Sequence, residues 1–139
     1  METLSITRHA VLATAPVTVM LPVLNLERAR QFYEQALGLH PIGLQADGKF
    51  EYGCGSNNGT VIALFPKPNA TPADHTALSF EVPDITAAIQ ELQQHGVQFE
   101  DYDLPGLKTV NHICVLGAEK AAWFKDPEGN YLCIHQNVG

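Results

Sequence analysis

Of the side chains able to do chemistry, His75, Cys133 and His135 stand out by position rather than by motif. Cys133 and His135 lie two apart in residues 131–136, which read as a strand, so both side chains leave the same face. His75 stands just before a similar run, residues 76–82. Imidazole and thiol together would form a soft metal site or an acid-base group. The competing expectation is structural, with His75 at a linker exit, His135 at a strand end and Cys133 a small buried hydrophobe. Cys133 as a nucleophile would need a fixed base, and none is identifiable. His112 and Cys114 share a face, but that spacing alone is a weak metal signal. His9, His40 and His95 fall in an arm, a loop and a helix end, and take no role.

Composition bounds the partners. A chain of 139 residues with a net charge of -7 repels phosphate backbones, and no basic cluster or aromatic RNA-binding motif offsets that, so nucleic acid is not expected. Acidity would suit a cationic ligand without requiring one. Three cysteines, Cys54, Cys114 and Cys133, are an odd number without metal-type spacing, which fits a reducing compartment and a cytoplasmic location. The apolar stretch at residues 10–15 is too brief for a signal peptide, Glu2 spoils its basic start, and no run is long enough for a membrane span.

The elements that position these residues come as two copies of one unit. Residues 17–23 read as a strand, Asn25 as a helix cap, residues 25–37 as an amphipathic helix and Gly38 as its stop. Residues 76–82, Asp84, the helix to His95 and Gly96 repeat that order, and Val23, Asn25, Leu26 and Ala29 match Val82, Asp84, Ile85 and Ala88. Strands at 39–44, 50–54 and 60–65 complete the first unit, and a turn at 55–59 joins the last two. In the second unit, strands are expected at 97–100, 110–116, 121–125 and 131–136, with a loop at 101–109. The turn Asp126-Pro-Glu-Gly-Asn130 feeds the last strand. Glu51 and Tyr52 alternate faces, and which of them looks inward stays open. The division is an arm at 1–16 and a domain at 17–137, made of unit one (17–66), linker (67–74) and unit two (75–137).

Two βαβββ units, a capped helix carrying Phe32-Tyr33 and Leu37-Gly38, and the closing Phe124-Lys-Asp-Pro-Glu-Gly-Asn130 resemble the vicinal oxygen chelate superfamily. That group includes glyoxalase I, bleomycin-resistance proteins and extradiol dioxygenases. The resemblance implies an α+β fold, a cupped eight-stranded mixed sheet with helices on its outer face. It also implies four metal-ligand positions, on the first and fourth strand of each unit, where His, Gln or Glu would converge on a divalent ion. Here those positions carry Thr18, Ala63, Ala77 and Cys133, so no metal is expected. A shifted register would bring in His75 or His135, but not a full set.

Small residues in place of ligands suggest instead a concave pocket for a small organic molecule, lined by Met20, Phe65, Ser79 and Tyr131. Tyr102 and Lys108 would close over it from the Pro105-Gly106 loop, or would be ordinary surface residues. Trp123 reads as core or dimer packing before it reads as a stacking platform. The leading expectation is a metal-independent binder of the bleomycin-resistance kind, a homodimer by resemblance. The alternatives are a divalent-metal-dependent lyase or dioxygenase of the glyoxalase type, and a metal-free enzyme using Tyr102, His75 or His135 as acid or base.

Overall fold

A computed structural model describes residues 11–69 and 71–138. Residues 1–10 of the expected arm therefore lie outside the described residues, and residues 11–14 form an exposed turn. The first unit comprises β1 (Val17–Val23), α1 (Leu26–Gln31), β2 (His40–Leu44), β3 (Phe50–Cys54) and β4 (Thr60–Pro66). Asn25 caps α1, its side-chain oxygen accepting the Arg28 N–H at 3.0 Å. The helix then widens into one π turn over Phe32–Ala36, closed by Leu37 N–H to Phe32 O at 3.0 Å. Through this turn the adjacent Phe32 and Tyr33 both reach the second unit.

The second unit repeats the plan with β5 (Thr76–Glu81), α2 (Ile85–Gln94), β8 (Cys114–Leu116), β9 (Glu119–Lys125) and β10 (Tyr131–Asn137), plus a small hairpin of β6 (Asp103–Leu104) and β7 (Leu107–Lys108). Asp84 caps α2 through the Ala87 N–H at 3.1 Å. The eight main strands divide between two four-stranded mixed sheets, ordered β1-β4-β3-β2 and β5-β10-β9-β8. In each, the first and last strands of the unit run parallel and the remaining pairs are antiparallel. Among the described residues no strand pairing joins the sheets, so β1 and β5 are both edge strands.

The second unit departs from the sequence expectation in three places. Residues 97–100 alternate like a strand, yet only Phe99 makes an isolated bridge, to Phe124, before the chain turns away. The expected strand at 110–116 shortens to Cys114–Leu116 because Asn111 and His112 adopt φ of 53° and 71° and fold residues 110–113 into a tight turn. The expected loop at 101–109 contains the β6–β7 hairpin, turned at Gly106 with φ of 76°.

One core serves both units. Leu21, Val23, Phe50, Tyr52, Ile62 and Leu64 of the first sheet pack with Ala29 and Tyr33, while Ala122, Phe124, Leu132 and Ile134 pack with Ile85 and Ile89. The turn after β9 ties them. Asp126, 5% exposed, accepts from the N–H groups of Glu128 and Asn130 at 2.9 and 2.8 Å and from the Asn130 amide at 3.0 Å. Its last partner comes from the other unit, the Tyr33 hydroxyl at 2.6 Å. Burial and the neighbouring Asp126 hold the Tyr33 pKa well above 10, so the phenol stays a donor. Next along the turn, Glu128 accepts the Leu24 N–H and pairs with Arg28, both at 2.6 Å.

Tyr33→Phe removes one of several donors to a buried carboxylate and should cost about 1–3 kcal/mol, whereas Asp126→Ala strands the whole donor set and should cost more. Urea midpoints of the two variants check the order. Glu128 adds a pH dependence. Burial pushes its carboxyl up, but the Leu24 N–H and Arg28 outweigh that and hold it below the ordinary value of 4.5. Its contribution is therefore complete above that ordinary value and is lost as pH falls through the lower folded-state value. The stability gap between the parent and Glu128→Gln should be constant near neutrality and close on acidification, as read from urea midpoints across pH.

Candidate functional site

Each sheet has a face turned away from the helices, and strand alternation assigns its residues. On the first sheet, Leu21, Ile62 and Tyr52 point into the core, so Met20, Ala63 and Glu51, aligned across β1, β4 and β3, form a row on the other side. Thr18 and Phe65 lie on the same face, two positions either way. The question of Glu51 and Tyr52 is thereby resolved: Tyr52 is fully buried with its hydroxyl on Glu34 at 2.7 Å, and Glu51 faces outward beside Ala63. Ala63 has no exposure, so the space a missing ligand would leave is already closed over. At Gly53 an added Cβ would meet the Asn58 side chain at 2.4 Å, which shows Asn58 folded down onto this face at its far end.

On the second sheet the corresponding row is Ser79, Cys133 and Trp123. Here an aromatic end and a polar end flank a thiol. Tyr102 packs edge-on to Trp123 at 5.8 Å between centroids, the Trp123 indole donates to the Thr76 hydroxyl at 3.2 Å, and the Lys125 ammonium lies 4.9 Å from the Tyr131 ring centre. Burial, Glu100 and Tyr131 all raise the Tyr102 pKa, so its hydroxyl is a donor near neutrality. At the other end, Ser79 Oγ and His135 Nδ1 are 2.6 Å apart. Cys133 sits between, 5% exposed, its thiol directed to the Ile134 carbonyl at 3.3 Å. Burial pushes that thiol up, against a smaller opposing effect of the Ser79 hydrogen bond.

The remaining sequence candidates lie elsewhere. Ala77 falls where β5 slips past β10: Tyr131 pairs with Thr76 and Leu132 with Leu78, so Ala77 is the extra residue and packs against the core. Thr76 takes its place toward Trp123. His75 precedes the strand, is 76% exposed and stands 3.7 Å from Asp74. Lys108 is exposed and borders a separate groove between α2 and the loop before β8. His112 pairs with Asp101 at 3.0 Å and lies against Phe99, while Cys114 is buried on β8.

Thr18, Ala63, Ala77 and Cys133 offer one hydroxyl, two methyl groups and a protonated buried thiol where the vicinal oxygen chelate resemblance puts metal donors. That set does not fit a divalent ion. Among the described residues, no three of His, Cys, Asp and Glu come together to hold one either. The sequence leaves the face of Glu51 open and does not point to Thr76 or to the pairing of Ser79 with His135. The last was within reach, since both residues lie on strands expected to be neighbours.

The sequence matches a family model described as the Glyoxalase/Bleomycin resistance protein/Dioxygenase superfamily over residues 15–134. It is 27% identical over 114 residues to a trivalent organoarsenical cleaving enzyme of Bacillus sp. (strain MD1). That stretch is 81% of this chain and 66% of the enzyme's length. Among solved structures, a glyoxalase family protein from Bacillus anthracis superposes with a TM-score of 0.70 at 22% identity, covering 89% of this chain and 95% of that one. TnmS3, an antibiotic binding protein from Streptomyces sp. CB03234, superposes with a TM-score of 0.65 at 22% identity, covering 89% and 98%. At these identities the superpositions show the fold.

The burial of the thiols has a direct consequence. Cys114 and Cys133 are 3% and 5% exposed, while Cys54 is half-buried. A water-soluble thiol reagent should modify Cys54 quickly in the native protein and the other two only as it unfolds. Cys133→Ser should leave the fast amplitude unchanged; a fast phase lost in that variant would identify Cys133 as an open, reactive group.

Proposed function

Because the chain belongs to the Glyoxalase/Bleomycin resistance protein/Dioxygenase superfamily, we propose that it binds a small organic molecule on its helix-free faces, without the metal of the catalytic branches. The observation that carries this reading is the second sheet's row. Where a carboxylate ligand would stand, Cys133 forms a neutral floor between the Trp123–Tyr102 aromatic end and the Ser79–His135 polar end. Aromatic faces give a ligand large contact area, and one hydrogen-bonded pair fixes its orientation. The antibiotic-binding relative of the same fold supports a ligand of this general kind. The 27% identity to an organoarsenical cleaving enzyme keeps an enzymatic role as the alternative, and a metal-dependent form of that role would need donors which Thr18 and Ala63 do not supply.

The pocket is completed by a second copy of the chain. Among the described residues, edge strands β1 and β5 lack outer neighbours, and Val17 and Met20 of β1 are 64% and 48% exposed. Pairing such edges between chains would bring the first sheet's face against the second's. Three free thiols support a reducing, cytoplasmic setting.

The test is the thermal midpoint of EDTA-treated protein with Mg, Mn, Fe, Co, Ni or Zn added singly, then with a library of planar organic molecules. None of the metals should raise the midpoint. A planar ligand should, with one molecule bound per chain of a sedimenting dimer, and Trp123→Ala should weaken it about tenfold or more. A metal-induced rise abolished by Cys133→Ser or His135→Ala would overturn the proposal.

A further inference from the structure

On the helix side, between the two units, lies a groove of about 380 Å³ that the proposed function does not use. Its walls are Leu37 and Leu39 from the end of the first unit's helix, Phe80 and Ile134 from the second sheet, and Ala88 and Leu92 from α2. Most of these are only partly buried, so the described residues leave apolar surface uncovered in a space of the size small molecules occupy.

The charges at the groove have one sign. Asp84 and Glu91 are the only charged residues in its lining among the described residues; His95, whose ring meets the Glu91 backbone carbonyl at 2.9 Å, lies outside that lining. Seven positions apart on one stripe of α2 with Ala87 and Ala88, they stand about 10 Å from each other along the helix. Asp84 commits Oδ1 to the helix cap, while among the described residues Oδ2 and the Glu91 carboxylate have no hydrogen bond or ion pair. An apolar trough edged by the Glu91 carboxylate and the second oxygen of Asp84, on a chain of net charge -7, disfavours an anion and attracts a cation with a hydrophobic body.

We propose that this groove is a second binding site, for a small amphiphilic cation whose alkyl or aryl part lies against Leu37, Phe80 and Leu92 and whose ammonium or amidinium group meets Asp84 and Glu91. The site is separate from the helix-free faces, so it stands or falls independently of the function proposed above.

Three probes of equal length and different head charge test it by calorimetric titration near neutral pH: octylammonium, octanol and octanoate. Octylammonium should bind saturably, about tenfold tighter than octanol, and octanoate weakest of the three. Glu91→Gln, an exposed change that leaves the fold intact, should remove most of the preference for ammonium over alcohol. Ala88→Phe fills the trough and should abolish binding of both, and Trp123→Ala should change neither. Equal affinity for the three probes, binding unaffected by Glu91→Gln, or the absence of a saturable heat would overturn the proposal.

Discussion

A carboxylate taken out of water must have its lone pairs occupied by donors, and Asp126 meets that demand with partners from two places. Three donors belong to its own turn, which closes only because Gly129 takes φ of 87° and Asn130 turns its amide inward. The fourth is Tyr33, from a helix in the other half of the chain. Satisfying the charge and docking the units are therefore one requirement. Asn130 extends the tie, accepting the Ala73 N–H at 2.9 Å and so fastening the linker as well. With α1 held against the second sheet in this way, the helices and core lie between the units and both helix-free faces turn outward.

The two units then diverge on those outward faces while keeping the same topology. Across the first sheet the row is Met20, Ala63 and Glu51; across the second it is Ser79, Cys133 and Trp123. Core-facing residues, by contrast, stay aliphatic or aromatic in both units because they answer to the same packing demand. The first sheet's face carries one carboxylate, Glu51, and is closed at one end by Asn58, and the second's is aromatic and hydrogen-bonding. A ligand meeting both would find stacking on one side and a carboxylate on the other.

What was legible in the sequence follows from how local each determinant is. Asn25 and Asp84 bond N–H groups three residues on, so the caps could be read directly, and β1 and β3 have the bounds their alternation gave them. Residues 97–100 have a strand's pattern but pair at one bridge, because pairing depends on where the partner strand ends. Asn111 and His112 break extension by adopting positive φ in a stretch whose composition is strand-like. The orientation of Ala77 depends on a slip in register against β10, 54 to 55 residues away, which no local pattern records. Inward-turned Tyr52 is held by Glu34 on the π turn after α1, which accepts its hydroxyl, again a partner outside the strand.

The closed state of the small residues bears on the kind of ligand. A small side chain opens onto a hole only where its neighbours leave space, and Ala63 and Cys133 are both within 5% of complete burial. The helix-free faces are thus shallow platforms rather than deep pits. A platform gives no walls for a metal-centred substrate to be gripped from several sides, but it gives an unbroken surface for a flat molecule. Trp123 is held by Thr76 through its indole N–H and by Tyr102 at its edge, so its orientation is set before any ligand arrives. Stacking on a ring already held in place costs little side-chain entropy, so the ordering penalty falls mainly on the ligand itself.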